Sequence, residues 1–195
     1  MRDERGQAVS ELALLLPLIL VLVLGVVELS TAINEAMTIA AATREGARVA
    51  GALVNGGGDL GCASGQSPNS STVDPLVVAA IERVLTGSGA QLSIQDVNEI
   101  RIYKATLAGS ETVGAVNRWV YAPGAGPMVA GEPLDFVEQS NQWPACSRNN
   151  VLPADSAGIT VRFVYRARTP LRYFVPGLAT ISITDTAVMP LNATR

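Results

Sequence analysis

The chain has 195 residues, of which 48% are hydrophobic, 16% are charged and none is histidine. An ordinary soluble domain carries about 25% charged residues, so this chain is charge-poor for a length that suits one domain. The missing histidine excludes a Ser-His-Asp triad, a histidine zinc site and an imidazole base; two cysteines cannot build a tetrahedral cysteine site, and a net charge of −3 argues against a nucleic-acid partner.

From the amino terminus, Met1–Gly6 is a hydrophilic leader, and Leu12–Val27 is a run of sixteen residues without a polar side chain. Counted from Val9 to Leu29, the segment is about 31 Å long as a helix at 1.5 Å per residue, which matches a bilayer core. Pro17 is compatible with a spanning helix, because neighbours can satisfy the carbonyl it frees. Residues 7–29 are therefore read as a transmembrane helix. A cleaved secretory signal ending near Ala32 fits less well, since the apolar run is long and Glu11 and Glu28 bracket it. Arg2 and Arg5 are offset by Asp3 and Glu4, and beyond the run Arg44 and Arg48 come only after Glu28 and Glu35. The positive-inside rule thus favours an inside amino terminus and an exported remainder.

The helix is expected to continue over residues 30–54, because alanine is abundant there and only Gly46 interrupts it. Leu29, Ile33, Ala36/Met37, Ala40, Ala47 and Ala50 recur near helical spacing and predict the face that packs on the chain's own sheet. Close packing between subunit helices is the other reading of so many small side chains. Asn55-Gly56-Gly57-Gly58 ends the helix; it lacks Gly-Lys-Ser/Thr and follows a helix, so it is no phosphate loop. Residues 55–195 then read as the exported domain. Asp74 as cap, Pro75 at the first position and Gly87 beyond the end predict a short helix, with Leu76, Val77, Ala80, Ile81, Val84 and Leu85 as its buried stripe.

Four strands are expected next: 97–107, with Ile100 and Ile102 on one face and Tyr103 on the other; 115–121, with Trp119 and Tyr121; 159–167; and 179–189. In the third, Ile159, Val161, Phe163, Tyr165 and Ala167 point one way; in the fourth, Ala179, Ile181, Ile183, Ala187 and Met189 share a face. Such alternation marks half-buried antiparallel strands. The expected fold class is α+β: a long amino-terminal helix, transmembrane in its first half, packed on an antiparallel β-sheet. Residues 122–158, rich in Gly, Pro, Asn and Ser, read as one long loop with an exposed-looking Trp143, a candidate subunit contact or an ordinary tethered loop. Arg162, Arg166, Arg168 and Arg172 read as the solvated face of a strand and its turn, with contact to an anionic surface or a pilus as the other reading. Cys62 and Cys146 lie in Gly/Ser/Pro-rich loops, which suits a disulfide in an oxidising compartment, with two free thiols as the rival.

The leader ends in Gly6, and a carboxylate, Glu11, stands five residues later at the mouth of the apolar run. This pattern resembles a type IV prepilin. The resemblance implies cleavage between Gly6 and Gln7 by a prepilin peptidase, after which Glu11 is the fifth mature residue and docks on the positive amino terminus of a neighbouring subunit. A carboxylate at the edge of a bilayer helix is costly unless paired; the plainer reading of Glu11 is a cap at the membrane interface.

The segment Ala41-Ala42-Thr43-Arg44-Glu45-Gly46-Ala47-Arg48-Val49-Ala50, together with Glu11, Pro17 and Glu28, resembles TadE-like proteins, minor pseudopilins of tight-adherence (Flp) pilus systems. Ile159–Tyr165 with Thr169-Pro170, then Ile181–Met189, is similar to the paired strands that close many such chains. Leu12 follows the glutamate where Flp-type prepilins have tyrosine, which suits a minor component rather than the body of a filament. The resemblance implies a pilin-like fold, a single-pass protein of the cytoplasmic membrane with its carboxyl-terminal domain outside, and a part in assembling an adhesive pilus. Its implied partners are the prepilin peptidase, other pilins or pseudopilins, inner-membrane assembly proteins and the lipid bilayer. No cofactor, metal ligand or catalytic residue is read from the chain, and no pair of its scattered carboxylates can be placed together from sequence. The alternative is a single-pass, membrane-anchored extracytoplasmic binding module unrelated to pili.

Overall fold

The computed structural model describes residues 3–53, 70–174, 177 and 179–192. A single helix, α1, runs from Asp3 to Ala52 with Pro17 inside it, about 75 Å at 1.5 Å per residue. It ends two residues short of the expected boundary, with the Leu53 amide still donating to the Val49 carbonyl at 2.9 Å. The glycine run 56–58 lies outside the described residues.

The second helix, α2 (Ser70–Leu85), begins earlier than expected, so Asp74 and Pro75 lie inside it and not at its start. Asp74 is not free to cap, because its carboxylate is engaged by the side chains of Asn117 and Arg148. Gly87 does lie just past the helix end.

The strands are β1 (Val97–Ala105), β2 (Glu111–Tyr121), β3 (Met128–Val129), β4 (Glu132–Pro133), β5 (Phe136–Asn141), β6 (Ser156–Arg166) and β7 (Thr180–Pro190). Five of them form one sheet in the order β5-β2-β1-β6-β7, and every neighbouring pair is antiparallel. The long helix packed on this antiparallel sheet makes the fold α+β, as expected. The four expected strands are all present, with boundaries shifted by a few residues. Residues 122–158 are not one loop: they hold the β3–β4 hairpin and β5, which adds an edge strand beside β2. Trp143, expected at the surface, is buried at 4% exposure. Asn117 explains the difference, since its side chain accepts from the Trp143 amide at 2.6 Å and donates to the Trp143 carbonyl at 2.8 Å.

The core lies between the sheet and the two helices, which cover one face. Ile39, Ala42, Ala47 and Ala50 of α1 and Val77, Ile81 and Leu85 of α2 meet Ile100, Ile102, Trp119, Ile159, Val161, Phe163 and Tyr165. The alternation read in β6 is the one observed, because its residues pair across β1 and β7 with partners on the same face: Val161 faces Ile100, and Phe163 faces Ile183. Tyr103 is on the opposite face, as expected, yet it is also buried. Its ring lies on Gly158, where a Cβ would come within 2.2 Å of it; only a glycine lets the ring approach this closely.

The inward face of α1 includes Ala47 and Ala50, as expected, but differs from the expected one nearer the amino terminus. Leu29, Ile33 and Met37 are 62%, 51% and 65% exposed, while Glu28, Glu35, Ile39, Ala42, Thr43, Gly46, Ala47 and Ala50 turn toward the domain. Adjacent helical residues point about 100° apart, so an offset of one residue moves a stripe off the interface. The apolar stripe instead prolongs the outward surface of the spanning segment. The arginine cluster is likewise more than a solvated face. Arg162 pairs with buried Glu99 at 2.6 Å and Arg166 with Asp96 at 2.7 Å, while Arg168 reaches back to Glu35 on α1.

Candidate functional site at the helix–domain junction

Along the first half of α1, the apolar side chains from Val9 to Val23 are all exposed, and none of the described residues of the domain buries them. Gly6 and Gln7 lie within the helix, and Gln7 is exposed. Glu11 is exposed one turn further on, and its carboxylate accepts a hydrogen bond from Gln7 Nε2 at 3.1 Å. Residues four apart share a helix face, so the proposed new amino terminus and the glutamate stand on the same side.

Among the described residues, the first buried position of α1 is Glu28, the residue that follows the uncharged run. Its carboxylate is buried and accepts the backbone amides of Arg168 at 3.0 Å and Thr169 at 2.8 Å. The Tyr165 hydroxyl donates to the same carboxylate. Two successive backbone N–H groups and a phenol thus form a small anion-binding concavity, the arrangement in which a buried carboxylate is kept satisfied. Burial and the neighbouring Glu28 carboxylate push the Tyr165 hydroxyl well above its ordinary range, so it stays a donor.

Two turns along, Glu35 is buried and pairs with the Arg168 guanidinium, which also donates to the Gln91 carbonyl. Burial raises the Glu35 pKa above the usual carboxylate value, against the pull of Arg168. Arg168 therefore binds the carboxylates of both Glu28 and Glu35, one through its backbone and one through its side chain. The sequence marked Glu28 as an anomaly at the end of an apolar run, but Tyr165, Arg168 and Thr169 as its partners were missed. The Thr169-Pro170 pair after a strand was the available signal.

The alanine-rich segment is explained by the same packing. Arg44 and Arg48 point to solvent, Arg48 held to Glu45 at 2.6 Å, while Ala42, Ala47 and Ala50 are buried. At Gly46 a Cβ would stand 2.6 Å from Ile81 Cγ1 and 3.4 Å from Ile159 Cγ2, so α1, α2 and β6 converge there.

A second buried polar cluster joins α2 to β2. Asp74 accepts from Asn117 Nδ2 at 2.7 Å and from Arg148 Nη2 at 2.6 Å, and Arg148 lies 4.5 Å above the Trp143 ring. A cleft of about 450 Å³ beside it is lined by Asp74, Trp119, Glu138 and Pro144 among others. Burial, with Asp74 adding to it, raises the Glu138 pKa. Cys146 is half-buried nearby, and no free cysteine occurs among the described residues. Cys62, its expected partner, lies outside them. No group of three or more Cys, Asp or Glu side chains placed to hold a metal ion occurs among the described residues.

Together these features define an α+β protein whose amino-terminal helix is long and apolar enough to cross a membrane and suits a single-pass anchor. Residues 6–48 match the family model described as TadE-like protein, and this region of the chain is similar to that family. The match takes in Gly6, Gln7, Glu11, Pro17, Glu28 and the Arg44–Arg48 segment. No curated protein and no solved structure matches the chain.

Proposed function

We propose that the chain is a minor prepilin of a tight-adherence system, taking part in the assembly of an adhesive pilus. In this reading a prepilin peptidase cuts between Gly6 and Gln7, α1 holds the protein in the cytoplasmic membrane with its amino terminus inside, and residues 55–195 are exported. Other pilins or pseudopilins and inner-membrane assembly proteins are its partners. A disulfide between Cys62 and Cys146 fits the exported side.

The observation that carries the reading is the order of features along α1. The TadE-like match starts at Gly6, the exposed apolar surface starts at Val9, and the packed domain starts at Glu28. That order leaves a bare helix available to lipid or to other subunits and a separate folded head. Cleavage creates a positive amino terminus at Gln7, and Glu11 is the carboxylate at the same end of the helix. In lipid such a carboxylate is costly without a cation, which favours docking against the amino terminus of a neighbouring subunit.

Glu11→Ala in the producing cell tests the role. Pilus assembly and cross-linking to neighbouring pilins should be lost while the amount of membrane-bound protein is unchanged. Unaltered assembly would contradict the role and favour a membrane-anchored binding module.

A further inference from the structure

We infer that the first part of the β6–β7 connection, residues 167–174, rests on the headgroup layer of the bilayer that α1 crosses, with Arg172 and Tyr173 as its lipid contacts. The inference depends on reading residues 7–29 as the transmembrane helix, with 12–27 as its uncharged run.

The geometry runs as two antiparallel rods. At the far end, Asn192 donates its amide to the Gly51 carbonyl at 2.9 Å, and a Cβ on Gly51 would meet Met189 at 2.9 Å. Midway, Gly46 lies against Ile159. At the near end, Tyr165 and Thr169 bind Glu28. From residue 159 to 165, β6 advances about 20 Å at roughly 3.3 Å per residue. From residue 46 to 28, α1 covers about 27 Å at 1.5 Å per residue. β6 therefore descends alongside α1 toward the bilayer and arrives level with Glu28, the first residue past the uncharged run. The reversal that begins there, over residues 169–174, falls at the membrane surface.

The chemistry of that reversal suits the position. The sequence from Pro170 to Phe174 reads Pro-Leu-Arg-Tyr-Phe, with one arginine, no acid and no other polar side chain than tyrosine. The short helix α3 (Leu171–Phe174) carries Tyr173 at 72% exposure, with the Arg172 guanidinium 4.9 Å above its ring and donating to its hydroxyl at 3.0 Å. A stacked arginine–tyrosine pair offers an apolar ring to the acyl boundary and a cation to lipid phosphates, the combination enriched at membrane interfaces. The bilayer is the occupant favoured by continuity with the span, since Glu28 ties this turn directly to its end.

The full chain carrying Tyr173→Trp, reconstituted in phosphatidylcholine–phosphatidylglycerol vesicles, tests the inference. Trp119 and Trp143 are 2% and 4% exposed and supply the background. Emission from the added tryptophan should be quenched above that background, most strongly by lipids brominated near the headgroup. A parallel Leu16→Trp chain should be quenched most by lipids brominated near the chain ends. Quenching of Leu16→Trp without added quenching of Tyr173→Trp would overturn the inference and leave the span intact, with water or a protein partner on this turn. Absence of quenching in both would overturn the spanning reading and the inference with it.

Discussion

The backbone amide of Thr169 donates to the Glu28 carboxylate at 2.8 Å, across 141 residues of sequence. This bond, with those from Arg168 and Tyr165, fixes the height at which the head leaves the helix. Glu28 is thereby converted from an acid stranded at the end of an apolar run into the anchor of the β6–β7 connection.

The anchor should behave as a unit. Tyr165→Phe removes a hydrogen bond to a charged group and should cost about 1.5–3 kcal/mol of stability. Glu28→Gln leaves one acceptor oxygen for two backbone amides and should cost about 1–3 kcal/mol. Denaturation of the detergent-solubilised chain should show the double variant less destabilised than the sum of the two, by about 0.5–3 kcal/mol, because both remove the same contact. Strict additivity would mean that the tyrosine and the glutamate do not share their energy.

Glu35 gives a pH signature. Its pKa is raised in the folded chain by burial, so the folded state holds the proton more tightly than the unfolded one. Stability then falls as pH rises from the unfolded carboxylate value through the raised folded value, and it is regained on acidification through the same window. Melting curves of wild type and Glu35→Gln across that window should diverge: the contribution of this site to the slope disappears in the variant. Parallel curves would show that Arg168 fully offsets the burial.

Gly46 is a packing limit. Gly46→Leu drives a side chain into Ile81 and Ile159 and should destabilise by about 1–3 kcal/mol or more. Arg44→Ala, exposed two residues earlier on the same helix, should stay within about 0.5 kcal/mol. Equal effects of the two substitutions in thermal melts would contradict the convergence of α1, α2 and β6 at this glycine.

Periodicity carried most of the fold. The apolar run, the alanine-rich continuation and the clean alternation of 159–167 each depend on local spacing, and each was readable. What escaped depended on contacts distant in sequence. The stripe of Leu29, Ile33 and Met37 looked like a core face because apolar residues at helical spacing usually are one. It is outward because Glu28 and Glu35 find buried partners on β6 and the turn beyond it. Trp143 looked exposed within a Gly/Pro/Asn-rich stretch because nothing local announces that Asn117 takes up both of its backbone groups. Asp74 looked like a cap for the same reason: a carboxylate before proline is a good cap unless a buried arginine claims it. Of the candidate site, Glu11 and Glu28 were visible as charges at the ends of an apolar run. The cradle for Glu28 was not, since two of its three donors are backbone amides and carry no residue signature.

The central claim is that this chain is processed and held as a prepilin, and the mass of its native amino-terminal peptide tests that most directly. Isolated from the membranes of the producing cell, the protein should begin at Gln7, with residues 1–6 removed. A chain that still begins at Met1, or one that begins near Ile33, would contradict it.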